Sequence, residues 1–191
     1  VVVNLSAIKS NVAALKTKAG VDLMAVVKAD AYGHGLVPVA KAALEGGATW
    51  LGVALLEEAI ALRTAGITAP ILLLSEQPAE LADLIVGYQL TPTVTTTRGA
   101  AVLAASASAA DQTVKVHIKV DTGMHRVGVA PNEVASLASF ISSYESLTIE
   151  GVYTHFAVAD DPSHAANAAQ LSAFNSVLDG LSSRGINPPL V

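Results

Sequence analysis

Two patterns of hydrophobic and polar residues alternate along the 191 residues. Short runs of Val, Leu, Ile and Ala are almost unbroken by polar residues, which is typical of strands buried on both faces of a parallel sheet. Longer segments between them repeat apolar residues every three or four positions, as one face of a helix does. We predict strands at 22–27, 50–55, 70–75, 89–94, 114–120 and 148–155.

The segments between these strands predict helices. In residues 6–20, Ser6 is expected to be the N-cap, and Gly20 is expected to end the helix. Further helices are predicted in 55–66, in the alanine-rich stretch 99–112 and in 164–185. The last of these is expected to bury a face made of Leu171, Phe174, Leu178 and Leu181.

A helix between each pair of strands is the connection that parallel strands need. Such a chain forms either a doubly wound sheet or a (β/α)8 barrel. The turn after the first strand lacks G-x-G-x-x-G, which removes the main support for a dinucleotide-binding sheet. A closed barrel has eight strands and about 250 residues. We therefore expect an α/β fold with about the first six βα units of a (β/α)8 TIM-type barrel, in which residues 185–191 begin a seventh strand.

Composition narrows the class of protein. The chain is 52% hydrophobic, 14% charged and carries a net charge of −5, which argues against disorder and against a nucleic-acid surface. It has no cysteine, and its five histidines show no metal-ligand spacing, so we assign no metal. No apolar run approaches the ~20 residues that a membrane span needs. We expect a cytoplasmic protein that binds small molecules, not membranes.

The end of the first strand carries the first candidate for chemistry. Lys28 follows an apolar run and precedes a loop with Tyr32, Gly33 and Gly35. One interpretation is a lysine whose ammonium group reaches solvent at a strand end. The other is a Schiff-base lysine, which needs burial or a nearby cation to keep its amine neutral. In that case the glycines admit a ligand, and the Tyr32 hydroxyl can bind a phosphate.

Polar residues also end the fifth and sixth strands, where function collects in parallel α/β folds. Lys119 and Arg126 are either solvated cations paired with Asp121 or parts of a site in which the Arg126 guanidinium binds an oxyanion or a carboxylate. In such a site a free Lys119 would repel Arg126. His155 is either a structural histidine or a member of the same site.

Three motifs together resemble those of bacterial alanine racemases. They are AVVKADAYGHG (25–35), IKVDTGMHRVGV (118–129) and GVYTHFAVADDP (151–162), and the resemblance extends over essentially the whole chain. It implies a pyridoxal 5′-phosphate enzyme, built as a homodimer, with a barrel domain followed by a β-rich domain. It also implies racemisation of L- and D-alanine, which supplies D-alanine for cell-wall peptidoglycan. Residues 1–191 would then be an incomplete N-terminal barrel domain.

The same resemblance implies roles for five residues. Lys28 would bind the cofactor covalently and act as the base on the D-alanine side. Tyr32 would bind the cofactor phosphate, and His155 would lie near the cofactor ring. Arg126 would hydrogen-bond the phenolic oxygen of the cofactor and lie close to the substrate carboxylate. Lys119 matches a position that is often carbamylated, and a carbamate would orient Arg126 instead of repelling it.

Racemisation needs an acid/base group on each face of the substrate. In the family the second group is a tyrosine from the β-rich domain of the partner subunit, and no residue of this chain matches it. We therefore expect residues 1–191 alone to be inactive or nearly so. Three alternatives stay open: a non-catalytic pyridoxal-phosphate carrier, a related racemase or decarboxylase of other amino acids, and a barrel whose strand-end residues are structural.

Overall fold

Six parallel strands form one sheet in the order in which they occur along the chain. A computed structural model describes residues 2–191. Every predicted strand is present, and Leu190 pairs in parallel with Gly151, as expected of a seventh strand that begins there. The strands are β1 (Met24–Val26), β2 (Trp50–Val53), β3 (Ile71–Leu73), β4 (Thr91–Val94), β5 (Val114–Lys119) and β6 (Leu147–Tyr153).

Helices connect the strands and cover the outside of the sheet. This order is that of the first six βα units of a (β/α)8 barrel, so the expected fold is confirmed. Within residues 2–191 no helix is both long enough and apolar enough to cross a bilayer. The helices are α1 (Leu5–Ala19), α2 (Lys28–Gly33), α3 (Leu36–Glu45), α4 (Leu56–Thr64), α5 (Ala82–Gly87), α6 (Thr97–Ala109), α7 (Val134–Ser142) and α8 (Ala165–Ser182), with a 3-10 turn at Ala79–Leu81.

The ends of α1 confirm one predicted cap and correct the other. Gly20 ends the helix in the left-handed conformation with φ 67°, as expected. The N-cap is Asn4 and not Ser6, because the Asn4 side chain accepts a hydrogen bond from the Ala7 N–H at 3.1 Å. The helix therefore begins before the position predicted for its cap.

The buried face of α8 also differs from the prediction. Phe174 and Leu181 are buried as expected, but Leu171 is 49% exposed. Gln170 takes its place in the buried stripe, together with Val177. The hydrophobic pattern predicted the wrong position because a buried amide is stable only where it has hydrogen-bond partners, and these come from distant parts of the chain.

Two buried polar residues, His117 and Glu150, lie among the apolar side chains in the interior of the sheet. In β6 the extra residue Glu150 shifts the register against β5. Its carboxylate accepts a hydrogen bond from Lys115 at 2.7 Å and lies 3.5 Å from Nε2 of His117. Burial lowers the pKa of His117, while Glu150 opposes that change. The His117 ring lies 5.3 Å from the ring centroid of Trp50.

Gly151 is the neighbour that makes room for the His117 ring. A Cβ atom at position 151 would lie 2.6 Å from two atoms of that ring, which is far inside van der Waals contact. The ring is itself confined by Trp50 and Tyr153. The bulge and the glycine therefore act together to accommodate a buried imidazole.

Replacing this glycine should destabilise the fold. We expect Gly151→Ala to lower the free energy of unfolding by about 1–3 kcal/mol, because the added methyl group overpacks the interior. Urea unfolding measures this change. Gly180→Ala is the matched control, since nothing lies within 4 Å of its Cβ position and alanine favours the helix by about 0.5–1 kcal/mol. Equal stabilities of the two variants would contradict the packing.

Candidate active site

Four basic side chains meet at one rim of the sheet. Lys119 is the last residue of β5, and Arg126 lies in the loop that follows it. Lys28 follows β1 directly after Val27, and His155 lies two residues beyond β6, so the predicted strand end at His155 is two residues too long. The positive charges of Lys28 and Arg126 act on both Lys119 and His155, which places the four groups in one electrostatic neighbourhood.

Lys119 is the most deeply buried of the four, with 7% of its surface exposed. Its ammonium nitrogen lies 5.6 Å from the ring centroid of Tyr153. Burial lowers the pKa of Lys119, the charges of Arg126 and Lys28 lower it further, and Asp121 partly opposes them. The neutral amine is therefore easier to form here than on an ordinary lysine.

His155 experiences the same surplus of positive charge. The residue is exposed, yet partial burial lowers the pKa of His155. Lys119, Arg126 and Lys28 all lower it further. The neutral imidazole, which can accept a hydrogen bond at one nitrogen, is therefore favoured at neutral pH.

The segment after Lys28 is a single turn of left-handed helix. Residues Ala29 to Tyr32 have φ between 52° and 56°, although none of them is glycine. Each such residue costs about 1–2 kcal/mol. Strain of this kind concentrates at functional sites. The sequence pattern did not predict the turn. Its visible signals are Gly33 and Gly35, which also have positive φ, at 80° and 95°, on either side of His34 at −100°.

One carboxylate holds this strained turn against β2. Glu58, in the first turn of α4, accepts a hydrogen bond from the Ala29 N–H. It also accepts hydrogen bonds from the N–H groups of Ala54 and Leu55, at 2.9 and 3.0 Å. Hydrogen bonds to an ionised carboxylate are the stronger kind, so they offset part of the strain. Glu58 was not among the predicted site residues; its signal was a glutamate three residues inside a helix start.

Tyr32 lies on the left-handed turn and is 60% exposed. Within the part of the chain that the structure describes, its hydroxyl has no hydrogen-bond partner. Beside it, nothing lies within 4 Å of the Cβ position of Gly33. The turn therefore presents a phenolic hydroxyl and an open stretch of backbone at the rim.

The loop that carries Arg126 is built on Asp121. One carboxylate oxygen accepts hydrogen bonds from the N–H groups of Gly123 and His125, at 3.1 and 3.0 Å. Burial alone would raise the pKa of Asp121, but these donors lower it below its ordinary value. A Cβ at Gly128 would lie 2.6 Å from the Asp121 nitrogen, so the loop folds tightly back on itself.

Asp121 is thus occupied by the backbone of its own loop. Among the residues that the structure describes, His125 is the basic side chain within 4.0 Å of the Asp121 carboxylate, at 3.6 Å. Arg126 is exposed. In the same residues no three His, Cys, Asp or Glu side chains are grouped as a metal site needs.

The fold and the rim together define a class of protein: a parallel β/α barrel with a basic, anion-attracting mouth. Residues 3–191 match the family model for the alanine racemase N-terminal domain. The chain belongs to this family.

Relatives of known name agree with this assignment. The chain is 42% identical over 186 residues to the alanine racemase of Desulfovibrio desulfuricans, covering 96% of this chain and 50% of that protein. It is 40% identical to the alanine racemase of Thermobifida fusca, over 97% and 51% of the two chains. The crystal structure of alanine racemase from Streptomyces lavendulae superimposes with a TM-score of 0.89 at 37% identity, over 96% and 49%. The chain spans about half the length of the curated relatives that it matches.

Removing the charge of Glu58 should loosen the left-handed turn. Glu58→Gln turns an amide group toward at least one backbone N–H, so we expect the free energy of unfolding to fall by about 1–3 kcal/mol. Chemical denaturation measures this. Glu57→Gln is the matched control, because Glu57 is the exposed neighbour of Glu58, and its loss should change stability by less than about 0.5 kcal/mol. Similar effects of both substitutions would show that Glu58 does not hold the turn.

Proposed function

We propose that the chain is the cofactor-binding barrel domain of a pyridoxal 5′-phosphate-dependent alanine racemase. The family assignment supports this, and one observation carries it: four basic groups share the rim, where burial and then their mutual repulsion lower the pKa of Lys119 and of His155. Such a rim is stabilised by a bound anion. Pyridoxal phosphate offers a phosphate and a phenolic oxygen, and the substrate offers a carboxylate, so the residues fit this cofactor.

Each rim residue has a role in this proposal. Lys28 would hold the cofactor covalently through its Nζ atom, and the exposed Tyr32 hydroxyl would bind the phosphate. Arg126 would donate hydrogen bonds to the phenolic oxygen and lie near the substrate carboxylate. His155 would lie by the cofactor ring. When bound, the cofactor supplies an electron sink for the charge left on Cα of the amino acid.

Lys28 then moves the proton. Its Nζ atom takes the α-proton from D-alanine, and it donates a proton to that same face when D-alanine is formed from the L-enantiomer. The opposite face needs a second acid/base group. We propose that a tyrosine of a following β-rich domain in the partner subunit of a homodimer supplies it, in the half of the relatives' length that this chain does not cover. The product would be D-alanine for peptidoglycan.

Lys119 is proposed to be carbamylated. Its lowered pKa makes the neutral amine available as a nucleophile, and burial protects the product from water. The nitrogen lone pair attacks the carbon of CO2, one C=O electron pair moves to oxygen, and the nitrogen releases a proton to solvent. The resulting anion replaces a cation beside Arg126, so repulsion becomes attraction.

Replacing Lys28 tests the central role. In the natural full-length protein that carries this sequence, Lys28→Ala should lower alanine racemisation by at least about 10³-fold. Borohydride reduction of the wild type with pyridoxal phosphate should place one covalent adduct on Lys28. Lys18→Ala removes an exposed amine from the far end of α1 and should leave both readings unchanged.

The other outcomes identify the alternatives. An adduct on Lys28 without racemisation would indicate a carrier, and turnover of another amino acid would indicate a related racemase or decarboxylase. Adducts spread over surface lysines would contradict the site. Residues 1–191 assayed alone should be inactive, and full activity would contradict a second base from outside them.

Labelled carbon dioxide tests the modification of Lys119. In the full-length protein supplied with 13C-bicarbonate, we expect one carbamate resonance by NMR. It should be absent from Lys119→Met and retained in Lys115→Met, because the Lys115 side chain is exposed and paired with Glu150. A signal that persists in Lys119→Met, or that is absent from the wild type, would contradict carbamylation at Lys119.

A further inference from the structure

A buried glutamine joins the loop that carries Arg126 to the loop that carries His155. Gln170 lies on α8 and is 3% exposed. Its amide nitrogen donates to the Thr122 hydroxyl at 3.1 Å and to the His155 carbonyl at 3.1 Å. Its amide oxygen accepts from the Ala157 N–H at 2.9 Å. Every polar atom of this buried side chain is therefore used between the two loops.

The direction of these hydrogen bonds is fixed by proton counting. The Thr154 hydroxyl donates its single proton to the Val120 carbonyl at 2.9 Å. It must therefore accept in its 2.7 Å hydrogen bond with the Thr122 hydroxyl. The single hydroxyl proton of Thr122 is thus donated to Thr154. Thr122 then needs a donor, and Gln170 supplies it. A carbonyl acceptor at His155 and an N–H donor at Ala157 fix the amide in the same orientation.

Close packing adds to this polar link. A Cβ atom at Gly123 would lie 3.3 Å from Cγ of Gln170, so the loop backbone passes directly over the glutamine side chain. Gly123 itself has φ 143° and is held by Asp121. The loop between Asp121 and Arg126 is thus fixed by the Asp121 carboxylate, which bonds its backbone, and by Gln170 of α8, which packs against it.

We propose that Gln170 is a positioning residue, which sets the placement of Arg126 relative to His155 by joining the loops that follow β5 and β6. It reaches neither the substrate nor the cofactor in this scheme and acts through Thr122 and the backbone of His155. The proposal rests on the proposed function, because it assigns those two side chains to one active site. It deepens that function by adding a residue from outside the rim.

Apolar replacement of Gln170 in the natural full-length holoenzyme tests this. Gln170→Met keeps a long unbranched side chain but removes both donors and the acceptor. We expect kcat/KM for alanine to fall about 10–100-fold per folded holoenzyme, since misplacement of a site by about 1 Å has effects of that size. The absorption band of the bound cofactor should shift as well. Assays at temperatures well below unfolding separate these effects from stability.

Asn167→Asp is the matched control. Asn167 lies one turn earlier on α8, and its amide nitrogen donates to the carbonyls of Val158 and Asp161, at 3.3 and 2.8 Å, away from the rim. This variant should lose stability but keep kcat/KM within about twofold, as expected for a structural role. If Gln170→Met and Asn167→Asp change stability alike and leave kcat/KM alike, the proposal is wrong.

Thr122 supplies a second test if Gln170→Met does not fold. Thr122→Val removes the hydroxyl at nearly constant volume and should reproduce the loss of kcat/KM, whereas Thr122→Ser keeps the hydroxyl and should recover most of it. Equal activities of these two variants would overturn the proposal.

Hydrogen exchange distinguishes failure of this inference from failure of the proposed function. Gln170→Met should speed exchange in both 121–126 and 155–157, whereas Asn167→Asp should speed it only in 158–163. If the wild type does not racemise alanine but exchange follows this pattern, the link is real and the function is wrong. If exchange changes in neither loop, the link is wrong whatever the activity.

Discussion

Parallel pairing imposes the constraint on which the rest of this structure depends. When six neighbouring strands run in the same direction, their carboxyl ends all lie at one rim, whatever residues follow them. Lys28, Lys119, Arg126 and His155 come from three separate parts of the sequence but meet because each lies at or just beyond the end of one of these strands. The polypeptide thereby concentrates positive charge in one place while its net charge is −5. The rim and not the overall composition decides what the chain attracts.

That concentration has an energetic cost in the free protein. Lys119 is buried beside two other cations and within reach of the Tyr153 ring face, and a carboxylate that opposes the repulsion, Asp121, is already bonded to its own loop. A group that brings negative charge to the rim relieves this repulsion. Burial together with this repulsion lowers the pKa of Lys119 and of His155, which favours the neutral amine and imidazole that nucleophiles and proton acceptors need.

The sequence predicted the features that depend on the spacing of apolar residues and on the order of strands and helices along the chain. The six apolar runs predicted every strand, and Gly20 marked the end of α1 correctly. The prediction was wrong at Leu171 and missed Glu58, whose hydrogen-bond partners lie 29 residues earlier and just before its own helix. Hydrophobic periodicity measures a residue's affinity for an apolar environment and contains no information on such partners, so the polar groups that align the loops escape it. The left-handed turn was missed because none of its four residues is glycine and two of them, Ala29 and Ala31, are strong formers of right-handed helix.

The left-handed turn has a consequence for the chemistry of the chain itself. An L-alanine at φ 53° is held in the mirror image of its preferred conformation, and Ala29 and Ala31 are both held in this way. A D-residue adopts that conformation without strain. A chemically synthesised chain with D-alanine at these two positions would keep the backbone path that presents Lys28 and Tyr32 while removing the part of the conformational cost that these two residues carry. In this segment, backbone strain arises because every residue is an L-amino acid.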